Sequence, residues 1–353
     1  MKNRSPGPGA PPDLAAILKK VSRSLYLSLR ILPSGLREAM SVAYLFCRAA
    51  DSIADTRLVP REKRLFWIEN FSGLLNSADD RSLFLSGLTG EITGSAGAES
   101  ERQILLSIGA CMAVYDRLPD EEKQLIFDVL KGVCEGMKTD LLYFPAEDSG
   151  LIRAFDSANR LENYCSSIGG EPGRFWSRLY LLNAQRSGYN SDSPSEEDGK
   201  SIGEALQMTN ILKDIAADLR IGRCYLPADE LAAAGLTPER LMEQSALEPL
   251  RPVLSRWMRW AVQRLDTSEP FVSCIPMTSP RLRAAVIWPI YWAMDTLALA
   301  AESSSLLDPS RKTKISRNRI YSTILGTPDT LVSNTAFRKG YRLRRESFFA
   351  FLS

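Results

Sequence analysis

Residues 210–218 read Asn210-Ile-Leu-Lys213-Asp214-Ile-Ala-Ala-Asp218, and residues 48–55 read Arg48-Ala-Ala-Asp51-Ser-Ile-Ala-Asp55. Each stretch sets two aspartates four apart in an otherwise apolar, helix-favouring run. In a helix, positions i and i+4 lie one above the other, so both carboxylates share a face. Like charges at that spacing weaken an isolated helix, and burying the pair costs more unless a cation neutralises it. A hard divalent cation, Mg²⁺ above all, suits carboxylate oxygens. The chain contains its own control. Asp116 and Asp120 have the same spacing, but Pro119 lies between them and Arg117, Glu121, Glu122 and Lys123 surround them. That pair reads as a solvated loop ahead of a helix. Spacing alone therefore carries little; two pairs in apolar helices, each with a cationic neighbour, carry much more.

The chain has 353 residues, 44% of them hydrophobic and 24% charged, as expected of a soluble globular protein with a large core. Its net charge of +2 argues against a nucleic-acid partner held by bulk electrostatics. Six scattered cysteines show neither metal-type spacing nor a small-domain disulfide pattern, so reduced, buried thiols in a cytoplasmic setting are expected. There is no histidine. That removes Ser-His-Asp and Cys-His catalysis, His-ligated zinc and imidazole acid–base work. Any base must be a carboxylate, a tyrosine, a lysine or part of the substrate.

Residues 1–12 are rich in Gly and Pro and read as a disordered tail; residues 13–353 read as one catalytic helical domain. Helical periodicity runs over 14–32, 36–55, 60–76, 100–118, 119–143, 154–168, 175–184, 202–219, 247–265 and 280–301. Residues 77–97 are expected to be a loop around one short helix. The run Gly169-Gly170-Glu171-Pro172-Gly173 is expected to interrupt a helix, and 186–197 to form a surface loop. Residues 222–227 turn into an extended segment, and no series of alternating strands is legible. Ala284–Ala301 is apolar but contains Pro289 and Asp295, and is read as a buried core helix rather than a membrane span. The fold expected is all-α.

Phosphate-directed cations accompany both aspartate pairs: Arg48 before Asp51, Lys213 before Asp214, and Arg220 and Arg223 after Asp218. Ser22-Arg23-Ser24 offers two hydroxyls and a guanidinium as an anion clamp. Carboxylates that hold Mg²⁺, and cations that take the remaining phosphate charge, are the parts needed to ionise a diphosphate ester. A carbocation formed this way needs a water-poor, aromatic-walled cavity, which a helical bundle can supply.

These patterns together resemble the squalene/phytoene synthase family, the head-to-head prenyl transferases, over residues 20 to 320 approximately. Ser22-Arg23-Ser24 resembles the family's N-terminal substrate motif, and Arg48 with Asp51 and Asp55 its first aspartate-rich motif. Tyr164-Cys165 followed by Gly170 and Gly173 resembles its Tyr-Cys segment. Gln207, Asn210, Lys213, Asp214 and Asp218, closed by Arg223, Leu226 and Pro227, resemble its second aspartate-rich motif, the most specific block. The resemblance implies a single-domain isoprenoid-synthase bundle with a central active-site cavity, in which two prenyl diphosphates condense through a cyclopropyl intermediate. That intermediate is presqualene diphosphate for farnesyl diphosphate, the favoured substrate. It further implies that Asp51, Asp55, Asp214 and Asp218 hold Mg²⁺, and that Gln207 and Asn210 contact metal or diphosphate. By the same resemblance Arg23, Arg48 and Arg223 bind diphosphate, and Tyr164 lies near the reacting carbons as proton acceptor or cation stabiliser. Ala54 and Ala217 depart from the pattern, standing where relatives commonly add an acidic residue.

Residues 288–298 resemble a squalene-synthase helix, and Lys314-Ile315-Ser316-Arg317 resembles the basic stretch linked to NADPH in that branch. This favours NADPH-dependent reduction to squalene over a phytoene or dehydrosqualene product, with Lys314 and Arg317 as cofactor contacts. A solvated or membrane-facing patch is the competing reading of that basic run. The basic, aromatic residues from 334 onward suit contact with an anionic membrane at its inner face, and equally a plain surface helix. Trp288, Tyr291 and Trp292 read as core packing before a cation cage. A monomer or weak homo-oligomer is expected. The adjacent aspartates usual in chain-elongating prenyl transferases and terpene cyclases are absent. A catalytically silent scaffold is disfavoured, because a scaffold has no need to tolerate the carboxylate repulsion.

Overall fold

The computed structural model describes residues 29–56, 59–75, 78–93, 99–186 and 194–352, with the single positions 14, 16 and 18, and nearly all of its regular structure is helix. Backbone contacts divide the chain after Lys138 into two compact units.

The first unit holds α1 (Ser34–Asp55), α2 (Arg61–Phe71), α3 (Ala78–Thr93), α4 (Glu99–Leu106), α5 (Ile108–Tyr115) and most of α6 (Asp120–Tyr143). Helix α1 buries Leu36, Ala39, Ala43, Phe46, Ala50 and Ile53, a stripe at helical spacing. Phe46 meets the edges of Phe71 at 6.2 Å and Tyr115 at 6.0 Å, which closes α2 and α5 onto it. The expected loop at 77–97 is instead largely helix. Phe84 packs edge-on against Trp67 at 4.7 Å, Leu88 is buried, and Gly87 lies so close under Trp67 that a Cβ would come within 2.8 Å of the indole. Aromatic packing here overrides the weak helix propensity of a Gly- and Ser-rich segment. Asp116 and Asp120 bear out the solvated reading: each takes a surface ion pair, with Arg81 at 2.5 Å and Lys123 at 3.2 Å.

The second unit contains α7 (Ala158–Cys165), α8 (Glu171–Arg186), α9 (Glu196–Arg220), α10 (Leu247–Leu265), α11 (Pro280–Glu302), α12 (Arg317–Leu325) and α13 (Asn334–Ala350). As expected no series of strands is present among the described residues, and the extended segment after Gly222 forms β2 (Arg223–Pro227), which pairs in parallel with the short β1 (Arg153–Phe155). Gly222, at φ +82°, makes the turn into β2; a Cβ there would meet Leu151 O at 2.6 Å.

The Gly169–Gly173 run does not break its helix. Ser166–Gly170 form one π-helical turn that carries α7 directly into α8, and Pro172 falls in the first turn of α8, where its missing N–H is tolerated. The glycines serve a close helix crossing instead. A Cβ on Gly169 would lie 2.2 Å from Gly203 O, and one on Gly173 would lie 2.0 Å from Gly199 O. Backbone therefore touches backbone where the α7–α8 rod crosses α9. Arg264 of α10 braces the crossing: its Nε donates to Glu204 at 2.8 Å while its guanidinium lies 3.4 Å over the Trp260 ring. Helix α9 begins six residues earlier than its periodicity suggests, because Ser195 caps it, accepting from the N–H groups of Glu197 and Asp198.

Helix α11 is long and apolar enough to span a membrane, yet 67% of its apolar window is buried within the protein. Trp288 donates to Thr327 at 3.1 Å and Tyr291 to Phe337 O at 3.0 Å, so both are core residues, as expected. Arg283, fully buried, donates to the carbonyls of Val272 (2.8 Å) and Ile275 (2.9 Å) and to Asn334 Oδ1 (2.9 Å), docking α13 against α11. Arg283→Met should therefore strand several buried acceptors and cost roughly 3 kcal/mol, read as a lowered midpoint of thermal unfolding.

Candidate active site

Asp51 and Asp55 lie on one face of α1 with Tyr44, Cys47 and Arg48, opposite the buried stripe. Arg48 Nη1 is paired with Asp51 Oδ2. The pair is not buried, contrary to the costlier setting considered from sequence: Asp51 is half-buried and Asp55 exposed. Ala54 points the other way, fully inside the core, so an acidic side chain there would be desolvated. Its carbonyl accepts from buried Arg64 Nη1 at 2.8 Å, which secures the C-terminal turn of α1 beneath the aspartates.

On α9, Gln207, Asn210, Asp214, Ala217 and Asp218 form one partly or fully exposed stripe. Lys213 Nζ donates to Asn210 Oδ1 at 2.9 Å and to Asp214 Oδ2 at 2.6 Å. Two oxygens a helical turn apart thus converge on one cation. Among the described residues no three His, Cys, Asp or Glu side chains come together as a metal-ligand cluster. Each helix offers its carboxylates in pairs, and such pairs suit Mg²⁺, which keeps several waters and completes its shell with substrate phosphate. Ser22, Arg23 and Ser24 lie outside the described residues.

Tyr164, at the end of α7, meets partners that the motif comparison missed. Its hydroxyl donates to Asp140 Oδ2 at 2.9 Å, and Tyr225 Oη donates to the same carboxylate at 3.1 and 3.2 Å. The two hydroxyls are 3.3 Å apart. Arg223 Nη1 approaches Asp140 Oδ2 at 3.4 Å, and its Nη2 lies 3.8 Å from Glu147. Arg223, expected to bind diphosphate, is thus turned inward at 6% exposure beside a carboxylate that is itself 3% exposed. The β1–β2 pair makes this possible, because it sets Arg223 opposite Arg153 and brings Tyr225 under Phe144 and Phe155, at 5.2 and 5.5 Å. Burial, then the Asp140 charge, hold the Tyr164 hydroxyl well above the ordinary phenol range, and the Tyr225 hydroxyl likewise.

Tyr164 also faces a pocket of about 360 Å³, lined with Thr139, Asn163, Ser167 and Arg160 among others. Arg160 is held bidentately by Asp156, both bonds at 2.9 Å. One signal for Asp140 was present in the sequence. It occupies the α6 stripe of Val133, Met137 and Leu141, all buried, and a lone acid on such a stripe requires partners. Nothing local marks Tyr225.

Lys314 lines a separate groove of about 720 Å³ with Leu299, Leu343 and Phe351. Asp295 on its floor is held by Arg319 at 2.8 and 2.9 Å and by Arg344 at 3.4 Å. Arg317 begins α12 after the cap Ser316, and is exposed. The cysteines are unpaired in disulfides, and burial pushes Cys111 and Cys224 up to about 12, so neither is a nucleophile at neutral pH.

Residues 18–319 match the model of a family described as squalene/phytoene synthase. A presqualene diphosphate synthase of Sinorhizobium fredii is 29% identical over 311 residues, covering 84% of this chain and 91% of the relative. One of Zymomonas mobilis is 27% identical over 278 residues, covering 77% and 79%. The solved structure of TcSQS with the ligand E5700 superposes with TM-score 0.77 at 20% identity, covering 96% of this chain and 90% of that one.

Proposed function

Because the chain belongs to the squalene/phytoene synthase family of prenyl transferases, we propose that it condenses two farnesyl diphosphates head to head through presqualene diphosphate, and reduces that intermediate to squalene with NADPH. The observation that carries this reading is the pairing of carboxylates on α1 and α9, each with a cation beside it. Asp51, Asp55, Asp214 and Asp218 would hold Mg²⁺, with Asn210 as a further oxygen donor on α9. Once bound there, Mg²⁺ would supply positive charge to a departing diphosphate.

The protein's own part follows from its side chains. Arg48 and Lys213, already seated against the first carboxylate of each pair, are placed to take diphosphate oxygens. Gln207, one turn before Asn210, adds a neutral donor on the same stripe. Ser22, Arg23 and Ser24 are assigned to the same substrate by motif. Tyr164 contributes an electron-rich oxygen beside its pocket, as cation stabiliser or proton acceptor. Arg223 acts at one remove, by fixing the Asp140 carboxylate. For NADPH, the donor set at the start of α12 fits a phosphate: Lys314 and Arg317 flank the Ser316 cap of a helix N-terminus. The exposed stripe of α13, with Lys339, Arg342 and Leu343, supports peripheral contact of a cytoplasmic protein with an anionic bilayer.

A second reading, release of presqualene diphosphate without reduction, is favoured by the names of the two bacterial relatives. Incubation with farnesyl diphosphate and Mg²⁺, with and without NADPH, separates the two. Squalene only with NADPH supports reduction, and presqualene diphosphate in both arms supports release. Phytoene made from the C20 diphosphate alone would contradict both readings.

A further inference from the structure

Among the described residues of the second unit, Asp140 is the most deeply buried acidic residue. Three hydrogen-bond donors from two other elements converge on it: the hydroxyl of Tyr164 from α7, and the hydroxyl of Tyr225 and the guanidinium of Arg223 from β2. A carboxylate at 3% exposure is costly unless such donors are supplied, so the cluster is a deliberate feature of the fold. Its geometry is directional. Of the two tyrosines only Tyr164 lines the 360 Å³ pocket; Tyr225 stacks behind it, ring centroids 4.8 Å apart. When Tyr164 gives its proton to Asp140, its oxygen keeps its lone pairs for whatever lies in the pocket.

We propose that Asp140 is a positioning residue for the prenyl condensation, which aims the Tyr164 oxygen at the substrate and receives the Tyr164 proton when that oxygen deprotonates the carbocation. This rests on the proposed activity. In the step, a C–H bond on the carbon one atom beyond the neighbour of the cationic carbon breaks, and its electron pair bonds to the cationic carbon and closes the cyclopropane ring. The released proton bonds to the Tyr164 oxygen while the Tyr164 O–H proton passes to Asp140 Oδ2. The substrate loses one positive charge and the carboxylate one negative charge, and no oxidant or reductant is involved. Tyr225 and Arg223 hold the carboxylate still throughout. A phenol without this partner would have to become a cation, which a buried site disfavours.

The test uses Asp140→Asn, Tyr164→Phe and the double variant of the full chain, with steady-state kinetics on farnesyl diphosphate and Mg²⁺. Asp140→Asn is expected to lower kcat by about 100-fold, the scale of general acid–base work, with KM within about twofold. The double variant is expected to be no slower than the slower single one, because the two residues act as one unit. Tyrosinate absorbance against pH adds a readout independent of turnover. Removing the Asp140 charge beside Tyr164 lowers the pH at which a buried phenol ionises. If Asp140→Asn does not fold, Asp140→Glu, which keeps the charge but moves it by one methylene, is expected to shift the pH profile of kcat at unchanged KM. A kcat within threefold of wild type in Asp140→Asn, additive losses in the double variant, or an unchanged profile in Asp140→Glu overturns the assignment. Absence of any prenyl product from the wild-type protein refutes the proposed activity instead, and the phenol titration still reports whether Asp140 and Tyr164 are coupled.

Discussion

Asp214→Ala, and separately Asp51→Ala, is expected to cut product formation by at least about a thousandfold while leaving the helical circular dichroism unchanged. Each aspartate is the first of its pair, and each already holds a protein cation, Lys213 or Arg48. Removing it takes away one member of the aspartate pair on that stripe of its helix. Because no third acidic group stands nearby among the described residues, the loss is not compensated. The structural cost should be small. Asp214 is exposed and Asp51 half-buried, on faces opposite the cores of their helices, so stability is expected to stay within about 0.5 kcal/mol of wild type. Excess Mg²⁺ should restore part of the activity of Asp214→Asn, which keeps one oxygen ligand, but not that of Asp214→Ala. Near-normal turnover in either alanine variant would remove the metal assignment.

The second large effect is structural. Gly203→Ala is expected to destabilise the second unit by about 3 kcal/mol or more, lowering the midpoint of thermal unfolding by roughly 10 °C. Its Cβ would stand 2.0 Å from Gly169 O, and the obstacle is backbone rather than a side chain able to swing aside. The two rods would have to separate, carrying Tyr164 on one away from the Asn210–Asp218 stripe on the other. Activity should therefore fall together with stability. Gly90→Ala serves as the comparison: it lies in α3, where a Cβ meets nothing within 4 Å, and it should be neutral or stabilising by about 0.5 kcal/mol. Equal behaviour of the two variants in a melting experiment would refute the close crossing.

The contrast between these residues shows what a sequence exposes. The aspartate pairs were legible because a helix face is a local property, fixed by i and i+4 spacing, and α1 and α9 do place them on open stripes. Helix 280–301 was legible for the same reason, whereas the run 100–118 is divided at Ser107 into α4 and α5 and ends at Tyr115. The Asp140 cluster was not, because Asp140, Tyr164 and Tyr225 are far apart in the chain and meet only through the β1–β2 pairing. That pairing rests on a three-residue strand, too short to carry a period. The setting of Arg223 was hidden for a related reason. A cation after an aspartate motif suggests substrate, while the fold turns it toward a buried carboxylate. The 169–173 run misled differently: glycine signals a break in an isolated helix, yet here it permits contact between two continuous ones. Helix α3 runs longer than the short helix expected there because Trp67, in another helix, supplies the packing that its own residues lack.

In the proposed activity two farnesyl diphosphates are joined to each other. Purified protein given farnesyl diphosphate labelled at its C1 carbon, with Mg²⁺ and NADPH and no other prenyl substrate, tests it most directly by mass and NMR analysis of the extracted product. The expected result is a C30 product containing both labelled carbons and release of diphosphate, abolished when Mg²⁺ is chelated. Recovery of unchanged substrate, or of products containing a single farnesyl unit, would contradict it.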